Sequence, residues 1–507
     1  MTLYLTTPIF YVNAQPHLGH AYTGVVADTV ARFARLDGEE VFFQTGTDEH
    51  GDKIVGAAKE AEVDLREYVD RISALFRQAW PLLEVEPDNF IRTTDPAHIE
   101  VVQHILQQVY QRGDIYFSDY AGLYCRGCER FLTEKELVDG KCPDHQVAPA
   151  EIREQNYFFK MSRYQQWLID HIKEHPEFIT PERYRNEVLS FLSEPLDDLC
   201  ISRPVSRLEW GIPLPFDRNF VTYVWFDALI NYISGIGYPD APDFAPRWAA
   251  AEHLIAKDIL KPHAIFWPTM LRAMGLPPYR RLHVHGYWNV NEAKMSKSIG
   301  NVVRPQDMVE QFGADTVRYF LLREMSFGLD ASYSDEAVLA RRNADLANDL
   351  GNLFSRSLTM VKNFADSRVP TPGTLTEEDQ ELADACLAML DSYGRQMREF
   401  AFRQALEAVW EVIGRANRYI VTNAPWELAK DPDQQERLAT VLNTLLETLR
   451  CIATTLGPVM PGAATKMAAA LPLAAELTLA GQRHWPGLPP GAPVTVGENL
   501  FPRLKKG

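Results

Sequence analysis

Cysteine is scarce in this chain, with six residues, at 125, 128, 142, 200, 386 and 451, in a sequence of 507. That excludes a disulfide scaffold and fits a reducing compartment. No apolar run approaches the roughly 18–20 residues that span a bilayer. The first ten residues hold no lysine or arginine and no signal-peptide cleavage pattern. A cytoplasmic location with no membrane partner is expected. Positive charge is also short: 51 Lys and Arg against 68 Asp and Glu leave a formal net charge of −17. This excludes a protein that coats nucleic acid indiscriminately, and no DNA partner is expected. Local basic patches can still dock one shaped RNA. Neither internal repeats nor low-complexity tracts occur.

What is present is ordinary globular material, 46% apolar and 23% charged, in a length that implies more than one domain. Residues 3–12 read as a first strand, 21–36 as a helix, 41–44 as a second strand and 53–61 as a helix. This alternation predicts a parallel α/β sheet whose sites lie beyond the carboxyl ends of its strands. The pattern resumes at 222–230, 264–266 and 281–284, read as strand candidates. Between the two halves, 115–215 breaks the rhythm with cysteines, aromatics and Pro/Gly punctuation, and reads as an inserted domain. From about Asp335 the segments 340–364, 377–400, 401–421 and 434–456 keep a 3.6-residue period, which predicts a helical bundle. The Leu500-Phe501-Pro502 tail reads as packing back on the body. The expected domains are a Rossmann-type catalytic domain in two halves, 1–114 and 216–280, around the insert 115–215. A loop region follows over 281–338, then a helical domain over 339–507.

Cys125 and Cys128, then Cys142 and His145, form two pairs with two residues between partners. That spacing can close tetrahedrally around one zinc ion. With no acidic residue or open position evident, a structural zinc knuckle is expected in the insert.

Two short stretches carry the chemistry. His17-Leu18-Gly19-His20 sets two histidines at i and i+3 around a small, flexible residue, suited to ATP phosphates near a helix N-terminus. Lys294-Met295-Ser296-Lys297-Ser298 sets two lysines three apart in a polar loop, suited to charge on a departing pyrophosphate. Taken alone, the first reads as N-cap or surface histidines and the second as a solvated loop. Together and in this order they resemble the paired signatures of the class I aminoacyl-tRNA synthetases. The flanking sequence resembles the methionyl-tRNA synthetase family from Leu3 to at least Trp426.

That resemblance implies an α/β fold with a Rossmann-type parallel-sheet catalytic domain, an inserted zinc-knuckle domain and an all-α anticodon-binding bundle. It implies ATP-dependent activation of methionine to methionyl-adenylate, then transfer to the 3′ end of tRNA(Met), elongator and initiator, with Mg²⁺ accompanying ATP. His17, His20, Lys294 and Lys297 would be catalytic, and Gly19, His285 and Gly286 would join them around ATP. Pro8, Ile9, Tyr11, Trp225, Ala228, Leu229, Tyr232, Asp258, Ile259 and His263 are implied around methionine, with Asp48 close to its amine. Arg203, on a thinner match, is a further substrate-contact position. Ala256 and Glu292 stand where the family commonly has glycine, which bears on loop geometry. Asn352, Arg356 and Trp426 are implied at the CAU anticodon. The first two share a helix face at i and i+4, and Pro425 can start a helix that leaves Trp426 open for stacking. The residues after Trp426 are expected to finish the bundle without a dimerising module, so a monomer is expected. Two other readings stay open: a related class I synthetase for another apolar amino acid, and a tRNA-binding paralogue that does not aminoacylate.

Overall fold

The computed structural model describes residues 2–125, 130–132, 134, 137–143, 146–223, 225–290, 293–294, 302–473 and 478–504. Strands Thr2–Tyr11 (β1), Glu40–Asp48 (β2), Asn89–Arg92 (β3), Ile179–Thr180 (β4), Ala251–Ala256 (β5) and Arg281–His285 (β6) form one sheet. Their order is β3-β2-β1-β5-β6-β4 and every pairing is parallel. Because β1 pairs with β2 on one side and β5 on the other, the chain reverses direction across the sheet at β1. The carboxyl ends of β1 and β5 therefore flank the crevice where doubly wound sheets bind ligands. Pro8 lies in this central strand although it cannot donate a ladder hydrogen bond. The β1–β2 register shifts between Thr6 and Ile9, which absorbs it.

Helix α1 (Leu18–Leu36) follows β1 and is buried on nearly all sides. Its Ala- and Val-rich sequence has almost no polar face because the sheet lies on one side and the helical bundle on the other. Residues of β1 and α1 share one hydrophobic core with the bundle. A second core fills the opposite face of the sheet.

Two strand expectations are corrected. The 222–230 stretch gives only the end of a strand, Phe220–Thr222, and then enters helix α2 (Trp225–Ser234). Phe226, Leu229, Ile230 and Ile233 recur at helical spacing and are all buried, a period hidden by the aromatic composition. Residues 264–266 belong to a π turn, Pro262–Phe266, that runs into helix Trp267–Met274. Three strands of the sheet, β3, β4 and β5, have no counterpart among the sequence-based strand candidates.

In the 115–215 interval, Ile115–Cys125, Arg130–Leu132, Ala150–Phe159 and Leu199–Cys200 form a four-stranded antiparallel sheet. The same interval contributes β4 to the parallel sheet. The zinc-knuckle expectation, and with it the zinc cofactor, is corrected here. Among the described residues, no group of three or more His, Cys, Asp or Glu could hold a metal ion. Cys125 and Cys142 are buried in a small apolar cluster against Leu137, a setting that suits thiols as packing groups. Cys128 and His145 lie outside the described residues.

The bundle contains helices α3 (Asn352–Phe364), α4 (Glu377–Arg398), α5 (Phe402–Asn423) and α6 (Gln435–Leu456). α6 is buried along nearly its whole length and forms the bundle's axis. A π-wound segment, Arg342–Gly351, leads into α3. In the tail, Leu500 and Phe501 are buried, and Arg342 Nη2 donates to the Pro502 carbonyl at 3.2 Å.

Candidate active site

The chain leaves β1 through Asn13–Pro16 and enters α1 at His17, which is its N-cap. The Gly19 N–H donates to His17 Nδ1 at 3.0 Å, and the His17 N–H donates to His20 Nδ1 at 3.2 Å. This is a capping box in which both partners are histidine. The two rings stack with centroids 3.7 Å apart. An Nδ1 that accepts a hydrogen bond carries no proton, so each ring holds its proton on Nε2. Burial, then the neighbouring His17 ring, pushes the His20 pKa well below its usual value. Phe10 and Phe76 back His20 at 5.0 and 5.2 Å. The histidines thus combine a helix N-terminus with N–H donors, an arrangement suited to phosphate.

His285 ends β6 and is buried, not open to the crevice. Its Nδ1–H donates to the Gly286 carbonyl at 2.7 Å, and its Nε2 meets Thr23 Oγ1 of α1 at 2.9 Å. Burial lowers its pKa to about 4. Gly286 is required where it stands: a Cβ there would lie 2.2 Å from the Leu329 carbonyl oxygen. Lys294 ends the short strand Ala293–Lys294, which pairs with Trp288–Val290. Lys297 lies outside the described residues.

Across the crevice, Tyr232 of α2 belongs to a buried box of rings. It stacks on His253 of β5 at 4.1 Å and donates its hydroxyl to His263 Nε2 at 2.7 Å. His263 Nδ1–H donates to the Ile259 carbonyl at 2.9 Å. Trp267 Nε1–H donates to His253 Nε2 at 3.2 Å, which sets the His253 proton on Nδ1, beside Thr6 Oγ1 at 2.8 Å. Burial pushes His263 to about 4 and His253 well below its usual value. Both rings are neutral, and the box is an uncharged, polarizable wall of the kind a thioether side chain fits. The sequence reading nominated Tyr232 and His263 but gave His253 and Trp267 no role. Their signal was a histidine set in the otherwise apolar end of β5 and a tryptophan directly after the π turn, a local distortion common at functional sites.

Pro8 is buried and Ile9 and Tyr11 are half-buried at the end of β1. Trp225 is half-buried, while Ala228 and Leu229 face inward, Leu229 packing in the second core. Asp48 is buried at the end of β2, opposite Tyr11 in register. Ile259 is half-buried and Asp258 exposed just after β5. Arg203 stands apart from this group. It is fully buried, with its guanidinium 3.6 Å from the Tyr223 ring centroid, and Nη1 donates to the Ser202 carbonyl at 2.7 Å. That placement ties the antiparallel sheet to the segment entering α2. In the bundle, Asn352 is exposed at the start of α3 and Arg356 is half-buried one turn on. Trp426, second residue of the turn Pro425–Leu428, is 40% exposed.

A doubly wound parallel sheet, a histidine-capped helix at its switch point and a helical bundle sharing its core define a class I aminoacyl-tRNA synthetase. The family model for class I tRNA synthetases (M) matches residues 3–151 and 146–358, and that for the anticodon-binding domain of methionyl tRNA ligase matches 369–506. The chain is 45% identical over 505 residues to the methionine–tRNA ligase of Caldanaerobacter subterraneus subsp. tengcongensis, covering 99% of this chain and 79% of that one. It is 43% identical to the methionine–tRNA ligase of Deinococcus radiodurans, covering 99% and 74%. Mycobacterium tuberculosis methionyl-tRNA synthetase in complex with methionyl-adenylate superposes with a TM-score of 0.95 at 42% identity, covering 99% of this chain and 100% of that one. The apo form of the same enzyme gives 0.88 at 39% identity, covering 100% and 99%. The chain belongs to the methionyl-tRNA synthetase family. It is an enzyme that activates methionine with ATP and transfers it to tRNA(Met). No described helix is long and apolar enough to cross a membrane.

Proposed function

We propose a division of labour among the residues of this site. His17 and His20 donate Nε2–H to ATP phosphates at the α1 N-terminus, with Gly19 allowing close backbone approach. Lys294 and Lys297 gather the negative charge that develops as pyrophosphate leaves the α-phosphorus. Asp48 takes the methionine ammonium. Pro8, Ile9, Tyr11, Trp225, Ala228, Leu229, Tyr232, Ile259 and His263 surround the side chain, and Asp258 lies toward the ribose. The protein supplies no nucleophile. The methionine carboxylate attacks the α-phosphorus, and the 3′-terminal ribose hydroxyl of tRNA then attacks the acyl carbonyl. The observation that carries this reading is the double histidine cap, because a helix has no need of two histidines where Ser, Thr, Asp or Asn would cap it better.

In the bundle, Asn352 and Arg356 offer donors to unstacked anticodon bases and Trp426 offers a stacking face. His285 and Gly286 support the adenosine side indirectly, by fixing β6 against α1. A cytoplasmic location belongs to the same reading, since the substrates are there. Methionine-dependent pyrophosphate exchange tests it: His17→Ala and His20→Ala are expected to lower the maximal rate with methionine affinity preserved. Exchange driven equally by leucine, isoleucine or valine would favour a synthetase for another apolar amino acid.

A further inference from the structure

His50 and Asp227 lie 177 positions apart in sequence, yet His50 Nδ1 is 2.9 Å from Asp227 Oδ2. Both side chains are buried. His50 stands two residues past Asp48, and its backbone N–H faces Asp48 Oδ1 at 3.5 Å, long for a hydrogen bond. Asp227 lies in the first turn of α2, beside Ala228 and five residues before Tyr232. The loop that carries His50 is clamped from behind. Glu49 accepts from Arg92 Nε and from Thr47 Oγ1, each at 2.7 Å, and Trp210 Nε1–H donates to the Glu49 carbonyl. The imidazole therefore reaches from a fixed loop at the end of β2 to the first turn of α2, a helix that packs across β2, β1 and β5.

Among the described residues, the other oxygen of Asp227, Oδ1, is buried and has no hydrogen-bond partner. So has Nε2 of His98, whose Nδ1 meets Ser234 Oγ at 2.8 Å at the far end of α2. A carboxylate buried with one oxygen unmatched lowers stability. Folds keep such groups where function fixes a side chain.

We propose that the His50–Asp227 hydrogen bond is a positioning contact for methionine activation. It holds the Asp48 carboxylate in register with the α2 wall of the pocket, so that one amino acid is gripped by its ammonium and its side chain at once. The inference rests on the reading of Asp48 as the ammonium partner. A carboxylate acceptor fixes the His50 proton on Nδ1, and the amide N–H of an asparagine can stand in nearly the same place. An alanine cannot.

The test is pyrophosphate exchange with the full chain, comparing His50→Ala, His50→Asn and Asp48→Asn. His50→Ala is expected to raise the methionine KM about 10-fold or more, with the ATP KM within about twofold. His50→Asn is expected to bring the methionine KM back to within about threefold of the parent enzyme. A purely structural role would move both KM values and the melting temperature together. Equal methionine KM values for the alanine and asparagine variants, or a joint rise for methionine and ATP, would overturn the proposal. Asp48→Asn separates the underlying reading. An unchanged methionine KM there removes Asp48 as the ammonium partner and overturns the register role, whatever the His50 variants show.

Discussion

Arg318 and Asp28 meet at 2.7 Å with neither side chain reaching solvent. Asp28 belongs to α1 and Arg318 to helix Ala314–Glu324, between the catalytic sheet and the bundle. The guanidinium also donates to the carbonyls of Leu83 and Glu84 on one side and of Pro458 and Val459 on the other. One side chain thus satisfies carbonyls of the catalytic body and of the bundle end together. Arg318→Ala would remove this donor from the Leu83, Pro458 and Val459 carbonyls. It would leave Asp28 with Arg32 as its remaining cation and the Glu84 carbonyl with Arg32 as its remaining side-chain donor. Removing one partner of a buried pair costs about 3–5 kcal/mol. The expected result is a loss of that order in the first urea transition, with tRNA charging falling further than pyrophosphate exchange because the bundle loses its placement. A shift below about 1 kcal/mol would show that the contact is redundant.

Two carboxylates share the N–H of Gly462 near this staple: Glu84 Oε2 and Asp315 Oδ1, each at 3.2 Å. Burial, then the Glu84 charge, raises the Asp315 pKa from 3.8 to about 6. Arg318 and the N–H groups of Gly462 and Ala463 oppose that rise. A carboxyl with a raised folded-state pKa binds its proton more tightly folded than unfolded. Its contribution is therefore complete below the unfolded value and lost as pH rises through about 6. Asp315→Asn is expected to raise the melting temperature at pH 7.5 and to change it far less at pH 4. Equal stabilisation at both pH values would show that charge at Asp315 is not the cause.

Periodicity made most of this architecture legible. The first two strands, α1 and the four bundle helices follow their sequence patterns closely. The strands and α1 form near-continuous runs buried on both sides, and the bundle helices repeat apolar residues at helical spacing. The stretch entering α2 misled because Tyr223, Trp225 and Phe226 have strand propensity, while the helical period of Phe226, Leu229, Ile230 and Ile233 starts only there. The histidine pair was legible because its chemistry is local, four residues on one cap. His50–Asp227 and Asp28–Arg318 were not, since nothing near either partner in sequence marks the other. The cysteine pairs mark the limit of spacing as a guide. Chelating spacing is a local pattern, whereas Cys125 and Cys142, one from each pair, come together in an apolar cluster against Leu137.

Lys297 gives the sharpest test of the adenylate chemistry. A cation that acts on charge developing in the transition state should change rate and not ground-state affinity. Lys297→Ala is expected to slow adenylate formation about 100-fold, which is about 2.7 kcal/mol of transition-state stabilisation. Methionine binding, measured by fluorescence titration, should change little. Parallel losses in methionine affinity and rate would remove Lys297 from the transition state.

Trp426 tests the other end of the molecule. Its ring is 40% exposed while Pro425 beside it is buried. The preceding Ala424 has φ +40°, a left-handed turn that ends α5 and lets Pro425 start the next helical turn. The backbone thus presents an aromatic face that the bundle core does not consume. Base stacking on such a face is worth roughly 1–3 kcal/mol. Trp426→Ala is expected to depress kcat/KM for tRNA charging about 10-fold or more. Pyrophosphate exchange without tRNA should stay nearly intact, since that reaction uses only the crevice between β1 and β5. Stability should also change little, because a half-exposed ring leaves no cavity behind. An unchanged charging rate at every tRNA concentration would return Trp426 to a packing role, and a joint fall in charging and exchange would place its effect in the fold and not in tRNA recognition.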